Sequence, residues 1–158
     1  LRAAQLHGHE SPAECRFVAE RVPITIKALP AGSPDLERFD DFGVDLLMLD
    51  SPIPGSGEVF DWSLAEGAPG NRPMLLAGGL DPGNVASAIE RVAPYGVDVS
   101  SGVESRPGRK DPRLLRLFIE AARGADIRGI RGQPTTAVRL GDADMRMGSR
   151  GSGERRWG

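Results

Sequence analysis

The stretch Pro73-Met74-Leu75-Leu76-Ala77-Gly78-Gly79-Leu80-Asp81-Pro82 decides the architecture. Its apolar first half reads as a short buried strand, and the glycine pair ends it. Asp81-Pro82 then has the form of a helix start, a capping side chain followed by proline at the first helical position. Val85, Ala88, Ile89 and Val92 recur near the i, i+3, i+4, i+7 spacing of a single helix face. Strand, tight turn and amphipathic helix together make one β/α unit.

The unit recurs on both sides. Upstream, Ala3-Ala4-Gln5-Leu6-His7 is strand-like, and Ser11-Pro12-Ala13-Glu14 opens a helix running to about Arg21. Ile24-Thr25-Ile26-Lys27-Ala28 is a β-branched strand, and Ser33-Pro34-Asp35 starts a second helix that ends near Asp41. Val44 to Leu49 is a nearly continuous apolar run ending in Asp50, the pattern of a strand covered on both faces. Phe60-Asp61-Trp62-Ser63-Leu64 opens a short helix with Asp61 as its cap. Downstream, Gly96-Val97-Asp98-Val99-Ser100 is a fifth strand, and Asp111-Pro112 caps a last helix with Leu114, Leu115, Phe118, Ile119 and Ala122. Successive strand–helix units imply an α/β fold with a parallel sheet and right-handed crossovers. An open doubly wound sheet and a closed (β/α)8 barrel both meet the pattern. No G-x-G-x-x-G follows the first strand, and polar residues and glycines end several different strands, which favours the barrel.

Composition narrows the function classes. The 158 residues carry 20 basic and 22 acidic side chains and are 39% hydrophobic. That balance gives no net field toward nucleic acid or an acidic membrane. No apolar run approaches the ~18 residues of a membrane-spanning helix. No basic start leads into an apolar stretch, so no signal peptide is visible. The single cysteine, Cys15, excludes an internal disulfide framework and fits a reducing, cytoplasmic compartment. It falls within the first helix, away from any strand end, and reads as structural. Residues 1–123 carry the strand–helix pattern; residues 124–158 alternate Gly and Arg with no sustained period and read as a disordered tail. Arginine there suits phosphate and base contacts, but with no aromatic beyond Trp157 a merely solvated extension is the preferred reading.

Chemistry belongs at the carboxyl ends of the strands. Asp50 ends a buried strand with no helix starting directly after it, so capping does not explain it, and a desolvated carboxyl group suits proton donation. Gly78-Gly79 after one strand and Ser101-Gly102 after the next let backbone N–H groups approach an anion, with a helix start adding partial positive charge. In (β/α)8 enzymes the loops after strands seven and eight commonly hold phosphate. His7 stands at the end of the first strand, where it contacts either substrate or only a neighbouring loop. Asp98 shares a strand face with Ser100, inward in a barrel, where an unpaired carboxylate is costly and needs a partner. Gly55-Ser56-Gly57 forms a loop after Asp50 that either folds over a ligand or simply connects. His7, His9 and Glu10 do not have a recognised metal-ligand spacing.

Taken together, these segments resemble phosphoribosylanthranilate isomerase, a (β/α)8 family. The resemblance rests on Gln5-Leu6-His7-Gly8 with Glu10-Ser11-Pro12, Ile26-Lys27-Ala28, and Leu47-Met48-Leu49-Asp50. It continues through Gly55-Ser56-Gly57, Phe60-Asp61-Trp62, Leu76-Ala77-Gly78-Gly79-Leu80 and Asn84-Val85. Gly96-Val97-Asp98-Val99-Ser100-Ser101-Gly102-Val103-Glu104-Ser105 and Pro107-Gly108 with Lys110-Asp111 complete it. The resemblance implies an Amadori rearrangement of an aminoaldose phosphate, with Asp50 as general acid. Gly79, Ser101 and Gly102 would then line the phosphate site, and His7 and Asp98 would lie near the substrate body. It implies a sugar-phosphate substrate and no cofactor, metal or membrane.

One departure is as informative. The family's general base is a cysteine in a Lys-x-Cys-Gly context, and no such segment exists here; a substrate-binding arginine expected in the second strand–helix loop is also missing. The chain opens on Leu1, and the resemblance implies strands four to eight of eight, a partial barrel inactive by itself. The alternative is a non-catalytic sugar-phosphate-binding remnant. Five strands without closure leave two edges, which invites association between chains.

Overall fold

The computed structural model describes residues 1–51 and 73–125. Five parallel strands form a single sheet in chain order: β1 (Ala3–Leu6), β2 (Ile24–Pro30), β3 (Leu46–Asp50), β4 (Met74–Leu76) and β5 (Gly96–Val97). The helices are α1 (Pro12–Ala19), α2 (Val85–Val92) and α3 (Pro112–Gly124). Within the described residues, β1 pairs only with β2 and β5 only with β4, so each is an edge.

Alternation of side chains along the strands makes two faces. Thr25, Lys27 and Leu29 of β2 point the same way as Leu47 and Leu49 of β3, toward the helices. Leu47, Leu49 and Leu76 are fully enclosed there with Cys15 of α1, Val85 and Ala88 of α2 and Phe118 of α3. Burying each leucine contributes about 1.5–3 kcal/mol. The opposite face collects Ala28, Met48 and Ala77, flanked by Ile26 and Leu75. At the amino ends of the strands, Asp45 accepts from the Thr25 backbone N–H at 2.7 Å and from its hydroxyl at 2.9 Å, closing the base of the sheet.

Helix starts follow the expected device in α1 and α3. The Ser11 hydroxyl accepts from the Glu14 N–H while the Glu14 carboxylate accepts from the Ser11 N–H at 2.8 Å. Asp111 accepts from the Arg113 N–H at 2.8 Å. Asp81-Pro82 departs from it. Asp81 holds a turn, accepting from Gly83 and Asn84, and α2 begins after Asn84.

Three further expectations are corrected. The segment from Ser33 is no α-helix but two 3₁₀ turns, Pro34–Leu36 and Phe39–Phe42. Its buried residues are Leu36, Phe39 and Phe42, spaced by three, and a three-residue turn puts i and i+3 on one side. The fifth strand is two residues rather than five. Ile119 of α3 stays 46% exposed instead of joining the apolar face. An antiparallel hairpin, β6 (Glu104–Arg106) with β7 (Arg109–Lys110), was not anticipated. The Gly55-Ser56-Gly57 loop, the helix from Phe60 and the tail from residue 126 lie outside the described residues.

Candidate active site

Polar groups gather where β1, β3, β4 and β5 end. Asp50 is the last residue of β3, on the same face as Met48. Its backbone carbonyl accepts from Ala31 at 2.9 Å and its Oδ1 from the Ser51 N–H at 2.7 Å, which orients the carboxyl group. Oδ2 lies 3.2 Å from Nε2 of His7, one residue past β1. On the other side of that ring, the Gln5 amide nitrogen stands 2.9 Å from Nδ1. The ring is thus engaged at both nitrogens. The Asp50 side chain keeps 19% of its surface open and that of His7 52%. These groups border a cavity of about 530 Å³ that Glu10, Lys27, Phe42 and Ser51 also line.

The end of β4 abuts this pair. Gly78 has φ +82, and a Cβ there would stand 2.3 Å from the Ser51 nitrogen and 2.9 Å from Asp50 Oδ1. Only glycine suits both the conformation and the approach. Gly79, at φ +65, has its carbonyl held by the Asn84 side-chain amide at 2.9 Å. Beyond β5, Gly102 lies so close to the next loop that a Cβ would meet the Leu80 carbonyl oxygen at 1.9 Å. The glycine-containing ends of β4 and β5 are therefore in contact. Lys110 bonds the Ser100 carbonyl at 2.8 Å and the Glu104 carboxylate at 2.8 Å, fastening the hairpin to the Ser101–Gly102 turn. The Lys110 hydrogen bond and the Gly108 N–H hold the Glu104 carboxyl below its ordinary range.

Sequence reasoning thus marked His7, Asp50, Gly78, Gly79, Ser101 and Gly102, and they occupy neighbouring strand ends. Asp98 differs. It lies one residue past β5, is exposed and bonds none of the other candidate residues. The penalty for a buried carboxylate does not arise at an exposed position.

Lys27 was missed. It is 1% exposed in mid-strand, with Nζ 2.7 Å from Glu10 Oε2 and 2.8 Å from the Gly8 carbonyl. Burial pushes the Glu10 carboxyl up, but the Lys27 hydrogen bond and the N–H groups of Glu10 and Gly8 outweigh it and leave it below the ordinary value. A charged residue among Ile24-Thr25-Ile26 and Ala28-Leu29 was the available signal. Such a residue inside a covered strand must have a partner.

A parallel sheet with helices packed on it and polar groups collected at its carboxyl ends defines the chain as a member of the (β/α)8-barrel class. Comparison makes the assignment particular. The sequence model of N-(5'-phosphoribosyl)anthranilate (PRA) isomerase matches residues 1–121, and the chain belongs to the phosphoribosylanthranilate isomerase family. The N-(5'-phosphoribosyl)anthranilate isomerase of Desulforudis audaxviator is 50% identical over 132 residues, 79% of this chain and 63% of that protein. The crystal structure of phosphoribosyl anthranilate isomerase from Thermus thermophilus superposes with a TM-score of 0.68 at 35% identity, covering 77% of this chain and 60% of that one. A phosphoribosyl anthranilate isomerase in complex with reduced 1-(o-carboxyphenylamino)-1-deoxyribulose 5-phosphate superposes with a TM-score of 0.64 at 42% identity, covering 78% and 60%. The chain spans about three-fifths of the length of the curated relatives it matches.

Proposed function

We propose that this chain supplies the proton-donating and phosphate-holding parts of a phosphoribosylanthranilate isomerase. The reaction is the Amadori rearrangement of N-(5'-phosphoribosyl)anthranilate to the carboxyphenylamino-deoxyribulose phosphate, in tryptophan biosynthesis. The position of Asp50 carries this reading: an oriented carboxyl group at a strand end, 3.2 Å from His7 and directly against Gly78.

Asp50 gives a proton to the furanose ring oxygen. The bond from that oxygen to the anomeric carbon breaks as the anthranilate nitrogen lone pair forms the Schiff base. A base then takes the proton from the adjacent carbon, and the resulting enolamine tautomerises to the ketone. Hydrogen is redistributed within one molecule, so the proposal includes no redox cofactor. Gly79, Ser101 and Gly102 offer backbone N–H groups to the phosphate, with the start of α2 adding partial positive charge. His7 aligns the acid, and Asp98, open on the same face, is available to a substrate hydroxyl.

The base comes from elsewhere. Cys15 is fully buried among the helices, and that burial pushes its thiol up, away from the thiolate a base requires. A cytoplasmic setting suits this free thiol. Among the described residues no helix is long and apolar enough to cross a membrane.

The test is complementation. The 158-residue chain should show no turnover alone and regain it when mixed with a polypeptide bearing three β/α units and the Lys-x-Cys-Gly segment. Asp50→Asn should abolish the restored activity. Turnover by the chain alone, or an active Asp50→Asn complex, refutes the proposal.

A further inference from the structure

The residue left unexplained by the chemistry above is Lys27. Among the described residues β1 is an edge strand, whose ladder with β2 runs from Ala3↔Ile24 to Leu6↔Lys27 and then stops. His7 is the next residue, beyond the last backbone pairing. Lys27, the register partner of Leu6, continues the attachment with its side chain. Its Nζ donates to the Gly8 carbonyl at 2.8 Å and to Glu10 Oε2 at 2.7 Å. The Glu10 carboxylate in turn accepts from the Gly8 N–H at 3.0 and 3.1 Å. Both backbone polar groups of Gly8 are thereby held, one by each member of the ion pair. His7 is suspended between Leu6, fixed by the sheet, and Gly8, fixed by Lys27 and Glu10.

A lysine with 2% of its side chain open is costly to bury, and a surface role does not account for it. The pair faces the helix side of β2, whereas His7 reaches over to Asp50. The ion pair does not touch the Asp50 carboxyl; it acts through the loop.

We infer that Lys27 is a positioning residue: with Glu10 it tethers the His7–Glu10 loop to β2, so that the His7 ring stays on Asp50. The inference rests on the proposed function only in taking Asp50 to be the proton donor.

The chain has two histidines, His7 and His9, both exposed, which provides an internal reference. Diethyl pyrocarbonate acylates an unengaged imidazole nitrogen, and fragment ions distinguish the two sites by mass. In the full chain His7, engaged at both nitrogens, should react more slowly than His9. Lys27→Met should raise the His7:His9 rate ratio by about three- to tenfold, the range given by loss of one ordinary hydrogen bond. Asp50→Ala, which removes the contact directly, sets the ceiling, and Lys27→Met added to it should raise the ratio no further. Val85→Ala, which loosens the core at α2, should leave the ratio unchanged; a purely structural lysine would behave like it. If Lys27→Met does not fold, the pair Glu10→Gln with Lys27→Met removes the tether without leaving a charge buried. An unchanged ratio in the folded tether variant overturns the inference, as does an unchanged ratio in Asp50→Ala. No turnover enters these ratios, so loss of the isomerase proposal leaves them standing, and intact turnover does not rescue an unchanged ratio.

Discussion

Gly102→Ala probes whether the contacting ends of β4 and β5 form one anion site. The added methyl would sit 1.9 Å from the Leu80 carbonyl oxygen, 2.9 Å from the Leu80 carbonyl carbon and 3.0 Å from the Asp81 Cβ. Ordinary contact begins at 3.4 Å, so the two loops must part by more than an ångström. Leu80 cannot simply retreat, because its side chain is 2% exposed within the core. Overpacking of this kind costs about 1–3 kcal/mol. The same displacement stretches N–H to phosphate distances from about 2.8 Å to a length that no longer counts as a hydrogen bond. Losing one hydrogen bond to a charged group costs about 1.5–3 kcal/mol, a Kd raised about ten- to a hundredfold. Calorimetric titration with reduced 1-(o-carboxyphenylamino)-1-deoxyribulose 5-phosphate reads the affinity, and urea unfolding reads the stability. Gly108→Ala is the control: φ is +77 but nothing lies within 4 Å, so it should cost only the left-handed strain of about 1–2 kcal/mol and leave Kd alone. A Gly102→Ala chain with unchanged Kd and unchanged urea midpoint would refute the reasoning.

The Glu10–Lys27 pair should respond asymmetrically to truncation. Glu10→Gln strands a lysine whose side chain is 2% exposed and should cost about 3–5 kcal/mol in urea unfolding; Lys27→Met leaves a carboxylate 28% open to water and should cost less, with the double variant recovering part of the loss. The reverse order would contradict the burial argument. Acid should act through the same carboxylate. Its folded-state titration lies below the ordinary value of 4.5, so its contribution is complete above that pH and is lost as pH falls through the folded value. Wild type should therefore lose more Tm than Glu10→Gln between neutral pH and pH ~3.5; equal losses would show that Glu10 is not a source of acid sensitivity.

The sheet was legible because its signals are local and agree with one another. Leu47, Leu49 and Leu76 sit in runs too apolar for anything but a covered strand, and Ser11 and Asp111 cap their helices through their own side chains. Ser33-Pro34-Asp35 misled because a capping serine followed by proline opens a 3₁₀ turn as readily as an α-helix. Asp81 misled for another reason: its carboxylate satisfies Gly83 and Asn84 ahead of the helix, a choice that depends on where Asn84 itself bonds, at the Gly79 carbonyl. Lys27 signalled that it needs a partner but not which one. Nothing within β2 says what it pairs with, since Glu10 lies 17 residues away and reaches it only because β1 and β2 are parallel neighbours.

That difference sorts the site by how each function is built. The proposed anion site at the ends of β4 and β5 depends on the lack of side chains, at Gly78 beside Ser51 and at Gly102 beside Leu80, and glycine at a strand end is a mark any sequence displays. The proposed proton donation depends on a carboxyl group whose strand also displays it. Alignment of that acid depends instead on a chain of contacts, from Lys27 through Gly8 to His7 and on to Asp50, that crosses three strands and contains no unusual residue spacing. Groups that bind or react are therefore readable one position at a time, while groups that position them become readable only once parallel pairing brings distant segments side by side. By the same reasoning, a variant that disturbs β1–β2 register should impair the acid through His7 while leaving the anion site of β4 and β5 intact, and calorimetric affinity retained alongside a raised His7 acylation rate is the signature to seek.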